Sequence, residues 1–170
     1  MKNTLKSVLL TVMAFITVLA FGQGDKKMAS PPAKAEGKSG AASVTIDYHQ
    51  PSAKGRKIMG GLVPYGEVWR TGANKTTSIT VSAAVKVEGQ DLAAGTYALF
   101  TIPGESEWTI IINKNIEWGA YSYKQGDDVL RVKVKPTKTD SFVETFNISY
   151  TNDQVILKWE NTQVAFSVKG

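Results

Sequence analysis

The chemistry open to this chain is narrowed first by what it lacks. It has a single histidine, His49, and no cysteine. A Ser-His-Asp triad would therefore have to use His49 with Asp47, two residues earlier and on the same face of an extended strand. No G-x-S-x-G elbow or comparable serine context accompanies them, and a lone histidine at a strand end reads as a polar surface residue. Catalytic zinc wants about three protein ligands drawn from His, Cys and carboxylates, and the chain is short of them. Gly126-Asp127-Asp128 holds the only paired acids of interest and reads as a turn before it reads as a calcium loop. Two-carboxylate glycoside hydrolysis needs two acids facing one another across a cleft. Glu67, Glu105, Glu107, Glu117, Asp127 and Asp128 all fall in expected loops, and nothing singles out a pair. No catalytic residue, metal or cofactor is assigned.

Binding chemistry is better supplied. In Gly60 to Asn74, G-G-L-V-P-Y-G-E-V-W-R-T-G-A-N, unlike residues crowd together without a simple hydrophobic period. Arg70 offers a rigid fork of donors for carboxylate, phosphate or carbonyl groups, and Asn74 both donates and accepts. Trp69 is a stacking platform in one reading, which gives a ligand pocket of Tyr65, Trp69, Arg70 and Asn74 joined by His49 and Lys57. In the other reading Trp69 anchors the core, Arg70 pairs with an internal acid such as Asp47, and Asn74 caps a turn. A second aromatic stretch, Asn115 to Asp128, carries Trp118, Tyr121 and Tyr123 among glycines and polar residues. Those rings either form a binding surface or close one end of the fold.

The elements that must position these groups read as strands. Apolar residues recur at every second position in Val44-Ile46-Tyr48, Ile79-Val81, Val85-Val87 and Leu130-Val132-Val134. Phe146-Ile148-Tyr150, Val155-Leu157-Trp159 and Val164-Phe166-Val168 predict three more strands in a meander, with turns at Asn152-Asp153 and at 160–162. Thr96 to Ile102 and Trp108 to Ile112 are apolar throughout and predict central strands covered on both faces. Leu92-Ala93-Ala94-Gly95-Thr96-Tyr97 has the form of a tyrosine corner. No stretch beyond the first segment holds a helical period, so the fold class is all-β: a single β-sandwich or jelly-roll-like domain. A small outer-membrane barrel fits less well, because the strands are short and several alternate with lysine.

The N-terminal segment sets the compartment. Lys2 and Lys6 precede an apolar run from Val8 to Phe21, too short for a comfortable span, with small residues before a cut ahead of Gln23. Residues 1–22 therefore read as a signal peptide, and the mature chain as exported, periplasmic or extracellular, without a membrane span. Residues 23–42 are polar, small and rich in Pro, Gly and Lys, which predicts a flexible linker, and 43–170 form the β domain. The net charge of +5 comes mostly from the ends of the chain. The folded part has no basic excess for a nucleic-acid partner.

With these residues laid out, the chain resembles the bacterial family named domain of unknown function 2911. The resemblance is carried by Ser30-Pro31, Pro51-Ser52, Lys54-Gly55-Arg56, Leu62-Val63-Pro64-Tyr65-Gly66, Val68-Trp69-Arg70-Thr71-Gly72-Ala73-Asn74, Ala94-Gly95-Thr96-Tyr97, Trp118-Gly119 and Leu130-Arg131-Val132. It implies an exported bacterial β protein whose activity is not established. Two positions depart from the family pattern: His49-Gln50 where an arginine is expected before Pro51, and Lys75 where a glutamate is expected after Asn74. The functional expectation is a non-catalytic binding module for a carbohydrate or a cell-envelope protein. A glycan hydrolase with unassigned carboxylates and a structural envelope protein are the alternatives.

Overall fold

The computed structural model describes residues 28–117 and 120–170. The expected signal peptide lies outside them. The chain forms ten strands: β1 (Pro32–Ser39), β2 (Ala42–His49), β3 (Ser78–Val81), β4 (Val85–Val87), β5 (Gln90–Leu92), β6 (Gly95–Ile102), β7 (Trp108–Asn113), β8 (Asp128–Val134), β9 (Thr137–Thr151) and β10 (Gln154–Lys169). Two short 3-10 helices, Ala120–Ser122 and Gln125–Asp127, precede β8. One sheet runs β1-β2-β3-β6-β7-β8 and the other β5-β4-β10-β9, with antiparallel pairing throughout. Among the described residues no helix is long and apolar enough to cross a membrane.

The alternation read from the sequence dictates the layers. Val44, Ile46 and Tyr48 from β2, Ile79 and Val81 from β3, and Leu130 and Val132 from β8 face Ile148, Val155, Leu157 and Phe166 of the second sheet in one buried cluster. Strands β6 and β7 are covered on both faces, as their unbroken apolar runs require. Leu99, Ile110 and Ile112 enter the sandwich core, while Ala98, Phe100 and Ile111 form a smaller cluster on the outer face with Val68, Ile102 and Tyr123. The tyrosine corner is present, since Tyr97 donates its hydroxyl hydrogen to the Ala93 carbonyl at 3.1 Å.

Two expectations need correction. The linker read over 23–42 is not free in its second half: Pro32–Ser39 pairs with β2 over its full length as an edge strand. Its apolar residues are small, so the segment looked unable to hold itself, but Gly37 admits the ring of Tyr150 from β9 against its backbone. The predicted turn at 160–162 does not reverse the chain. β10 is a single strand of 16 residues whose register with β9 shifts on either side of Glu160, which takes a φ of +55°. The other predicted turn stands: Asn152 and Asp153 both have positive φ, as a two-residue hairpin requires.

Candidate functional site

The double irregularity in β10 opens one end of the sandwich. A β-bulge re-aims side chains and spreads a strand pair, and here it leaves Asn161 and Thr162 at the rim of an open cleft of about 380 Å³. The other walls are the Gly104–Glu105 turn between β6 and β7, the Pro136–Lys138 connection into β9, and Tyr65 with Met59. Trp108 lies at the back, only 2% exposed, and serves as a wall rather than a platform.

The Tyr65 side is built by the loop that follows β2. Ile58 and Met59 are buried, and their backbone N–H groups donate to the Glu160 carboxylate at 3.3 and 3.4 Å. The bulge residue thus anchors the loop opposite it. Within the loop Val63 N–H donates to Ile58 O, Leu62 N–H to Lys57 O, and Gly60 N–H to Val63 O, all between 2.9 and 3.1 Å. Gly60 has a φ of +72°, and a Cβ there would stand 2.7 Å from the Tyr65 ring. The ring therefore rests directly on glycine backbone and remains 39% exposed. Gly66 N–H donates to Pro103 O at 2.8 Å and joins this loop to the β6–β7 turn.

The same cleft is lined by a carboxylate, an ammonium and an amide that no described residue engages. Glu105, Lys138 and Asn161 are exposed, and their side chains make no hydrogen bond or ion pair with the described residues. A carboxylate accepts, an ammonium donates and an amide does both. Of the described residues lining the cleft, Glu105 alone carries a carboxylate.

The other predicted site residues go elsewhere. Lys57 is exposed and contributes its carbonyl to the loop. Trp69 is a core anchor: it stacks on Trp159 at 5.9 Å, meets Trp108 and Phe146 edge-on, and donates its indole N–H to Gly72 O at 3.1 Å. Arg70, next along the chain, turns to the outer face of the six-stranded sheet. It does not pair with Asp47, which lies 3.7 Å from Lys34. Asn74, at a φ of +56°, donates its amide to Ser30 O at 3.2 Å and ties down the start of the domain. His49 shares a hollow of about 250 Å³ with Lys75, Thr76 and Ser78. Burial, and then the charge of Lys75, hold its imidazole below the ordinary histidine range. Tyr65, Arg70 and Asn74 therefore do not meet in one concavity.

The aromatic stretch also divides. Tyr121 is fully exposed, and Trp118 lies outside the described residues. Tyr123 packs edge-on against Phe100 at 5.2 Å and donates its hydroxyl to Asp128 at 2.9 Å. Burial and that carboxylate push its pKa up to about 12. It covers the outer face of the sheet instead of closing an end of the sandwich. The expected turn at Gly126–Asp127 is one of the 3-10 helices, while Asp128 opens β8 and accepts from Asn113 at 2.8 Å.

Sequence reasoning missed Lys138, Asn161 and Thr162 as site residues, and counted Glu105 only among the loop acids. Their common signal is the E-N-T interruption of an alternating strand at 160–162, which resembles a turn until the register of β9 is known. The chain belongs to the family described as protein of unknown function (DUF2911), whose model matches residues 30–168. The match takes in all ten strands except the last residue of β10. No curated protein and no solved structure matches the chain.

Proposed function

We propose that this member of the family is an exported, single-domain binding module that takes a carbohydrate of the cell envelope into the end cleft without breaking it down. The observation that carries the reading is the exposed Tyr65 ring, fixed on Gly60 and sharing its cleft with the side chains of Glu105, Lys138 and Asn161, which no described residue engages. A sugar presents an apolar C–H face and a rim of hydroxyls that both donate and accept. An aromatic ring flanked by mixed donors and acceptors complements both. The groups stand on loops held by a rigid sandwich, where binding residues gather.

Binding is favoured over hydrolysis because the cleft offers one carboxylate where glycoside hydrolysis ordinarily uses two. Export rests on Lys2, Lys6 and the apolar run to Phe21, and the absence of cysteine fits a domain held by its core alone. A glycan array probed with the purified domain tests the reading. Retention of a defined saccharide, released chemically unchanged after incubation, supports it; turnover of the saccharide, lost on Glu105→Gln, would replace it with a hydrolase.

A further inference from the structure

Two bases meet on the outer face of the six-stranded sheet with no acid paired to them. Burial of Val44, Ile46 and Tyr48 turns Asp47 and His49 outward on β2, and Ser78 on β3 is the cross-strand partner of Asp47. The loop between β2 and β3 supplies the second base. Asn74, at a φ of +56° and with its amide on Ser30 O, sets Lys75 beside Pro32 and Ala33 at the start of β1. The loop rides on β2 itself, since a Cβ at Gly72 would stand 3.1 Å from the His49 carbonyl oxygen. His49, Lys75 and Ser78 thus line one hollow of about 250 Å³. Lys75 is exposed, His49 and Ser78 are half-buried, and none of the three side chains makes a hydrogen bond or an ion pair with a described residue.

The nearby carboxylates, Asp47 and Glu117, do not serve Lys75. Asp47 lines the hollow but lies 3.7 Å from Lys34, which also reaches Glu36 at 3.5 Å. Glu117 approaches through its backbone, where its carbonyl accepts the Thr76 hydroxyl at 2.7 Å, and its side chain makes no ion pair with Lys75. Arg70 lines no part of the hollow. His49 reports the balance of these charges: its imidazole is less basic than usual, first through burial and then through Lys75, with no offsetting pull from Asp47.

We propose that this hollow is a carboxylate site, in which Lys75 and the protonated imidazole of His49 hold the oxygens of one anionic group and the Ser78 hydroxyl donates a further hydrogen bond. With His49 neutral, Asp47 and Lys75 leave the lining without net charge, and a proton on His49 gives it one positive charge. Desolvation of an anion grows with the square of its charge while attraction to the site grows only in proportion, so a lining with one net charge favours a singly charged group. A sugar acid and a peptide terminus both present that group. The site lies on the outer face of the sheet and does not rest on the saccharide reading of the end cleft.

The test follows the His49 ring and the amides of 75–78 by NMR at about pH 5.5 and about pH 8, on either side of the ordinary histidine range. The domain is titrated with acetate, glucuronate and sulfate, with chloride adjusted to hold ionic strength constant. Both carboxylates should bind saturably and several-fold tighter at the lower pH, and by linkage each should make His49 more basic by the matching factor. Glucuronate binding tighter than acetate identifies a sugar acid, and equal affinities place recognition in the carboxylate alone. Lys75→Met should weaken both several-fold, and His49→Gln should abolish the pH dependence. Asp47→Asn should tighten binding, a gain that a merely structural role would not produce, and Tyr65→Ala should leave every curve unchanged. Linear shifts with both carboxylates, sulfate binding tighter than either, or an unchanged affinity in Lys75→Met would overturn the proposal.

Discussion

Glu160 reaches from the bulge of β10 to the backbone of Ile58, whose N–H it accepts at 3.3 Å, and the next N–H, that of Met59, lies 3.4 Å from the other carboxylate oxygen. One side chain thereby couples the strand irregularity that opens the cleft to the loop that carries the Tyr65 ring. Glu160→Ala leaves two N–H groups of buried residues without acceptors, which costs about 1–3 kcal/mol for the pair. Chemical denaturation should show that loss, and saccharide affinity should fall although Glu160 is absent from the cleft lining.

Gly60→Ala should act on the ring directly. The new methyl meets Tyr65 at 2.7 Å and sits at a φ of +72° that favours glycine. The expected cost is about 1–2 kcal/mol, from left-handed strain plus displacement of the ring. Tyr65 fluorescence quenching by a soluble quencher should rise, and ligand affinity should drop more than for Tyr65→Phe.

Gly37→Ala tests whether the N-terminal edge strand belongs to the domain. A Cβ at Gly37 would fall within the ring of Tyr150, whose hydroxyl donates to Val168 O at 2.8 Å. Tyr150 must move or β1 must lift, at about 1–3 kcal/mol. Amide hydrogen exchange should accelerate across β1 while the core of β6 and β7 keeps its protection.

Most of the architecture was legible because burial imposes a period of two on every strand of this fold. The strands from Val44 to Val134 follow from alternation, and the doubly covered pair β6 and β7 from its loss. What escaped depended on partners distant in sequence. β1 is ordered by a glycine-to-tyrosine contact with β9 that small residues do not announce, and E-N-T at 160–162 differs from a turn only through its pairing with β9. The chemically varied stretch Gly60 to Asn74 reads as one place in the sequence and is three in the structure. Tyr65 faces the cleft and is parted from Trp69 by the turn at Gly66, while Trp69 enters the core and Arg70, the next residue of a short extended piece, turns to the outer face.

His49 supplies a pH test. Its pKa is held below the ordinary 6.5, first by burial and then by Lys75. Between the lowered folded value and 6.5 the unfolded chain binds more protons than the native one, so stability rises with pH across that window. On acidification the contribution is lost below 6.5 and levels off once native His49 is protonated. Lys75→Met should raise the His49 pKa measured by NMR, yet leave it under 6.5, because burial is the larger cause.

The central claim is that the end cleft, through Tyr65, holds a saccharide. Isothermal titration of the saccharide retained on a glycan array, with the wild-type domain and with Tyr65→Ala, Asn161→Ala and Arg70→Gln, tests it most directly. The predicted result is a loss of about tenfold or more for Tyr65→Ala, a smaller loss for Asn161→Ala, and for an uncharged sugar no change with Arg70→Gln. Undiminished affinity in both Tyr65→Ala and Asn161→Ala, or no saccharide bound by the wild-type domain, would contradict it.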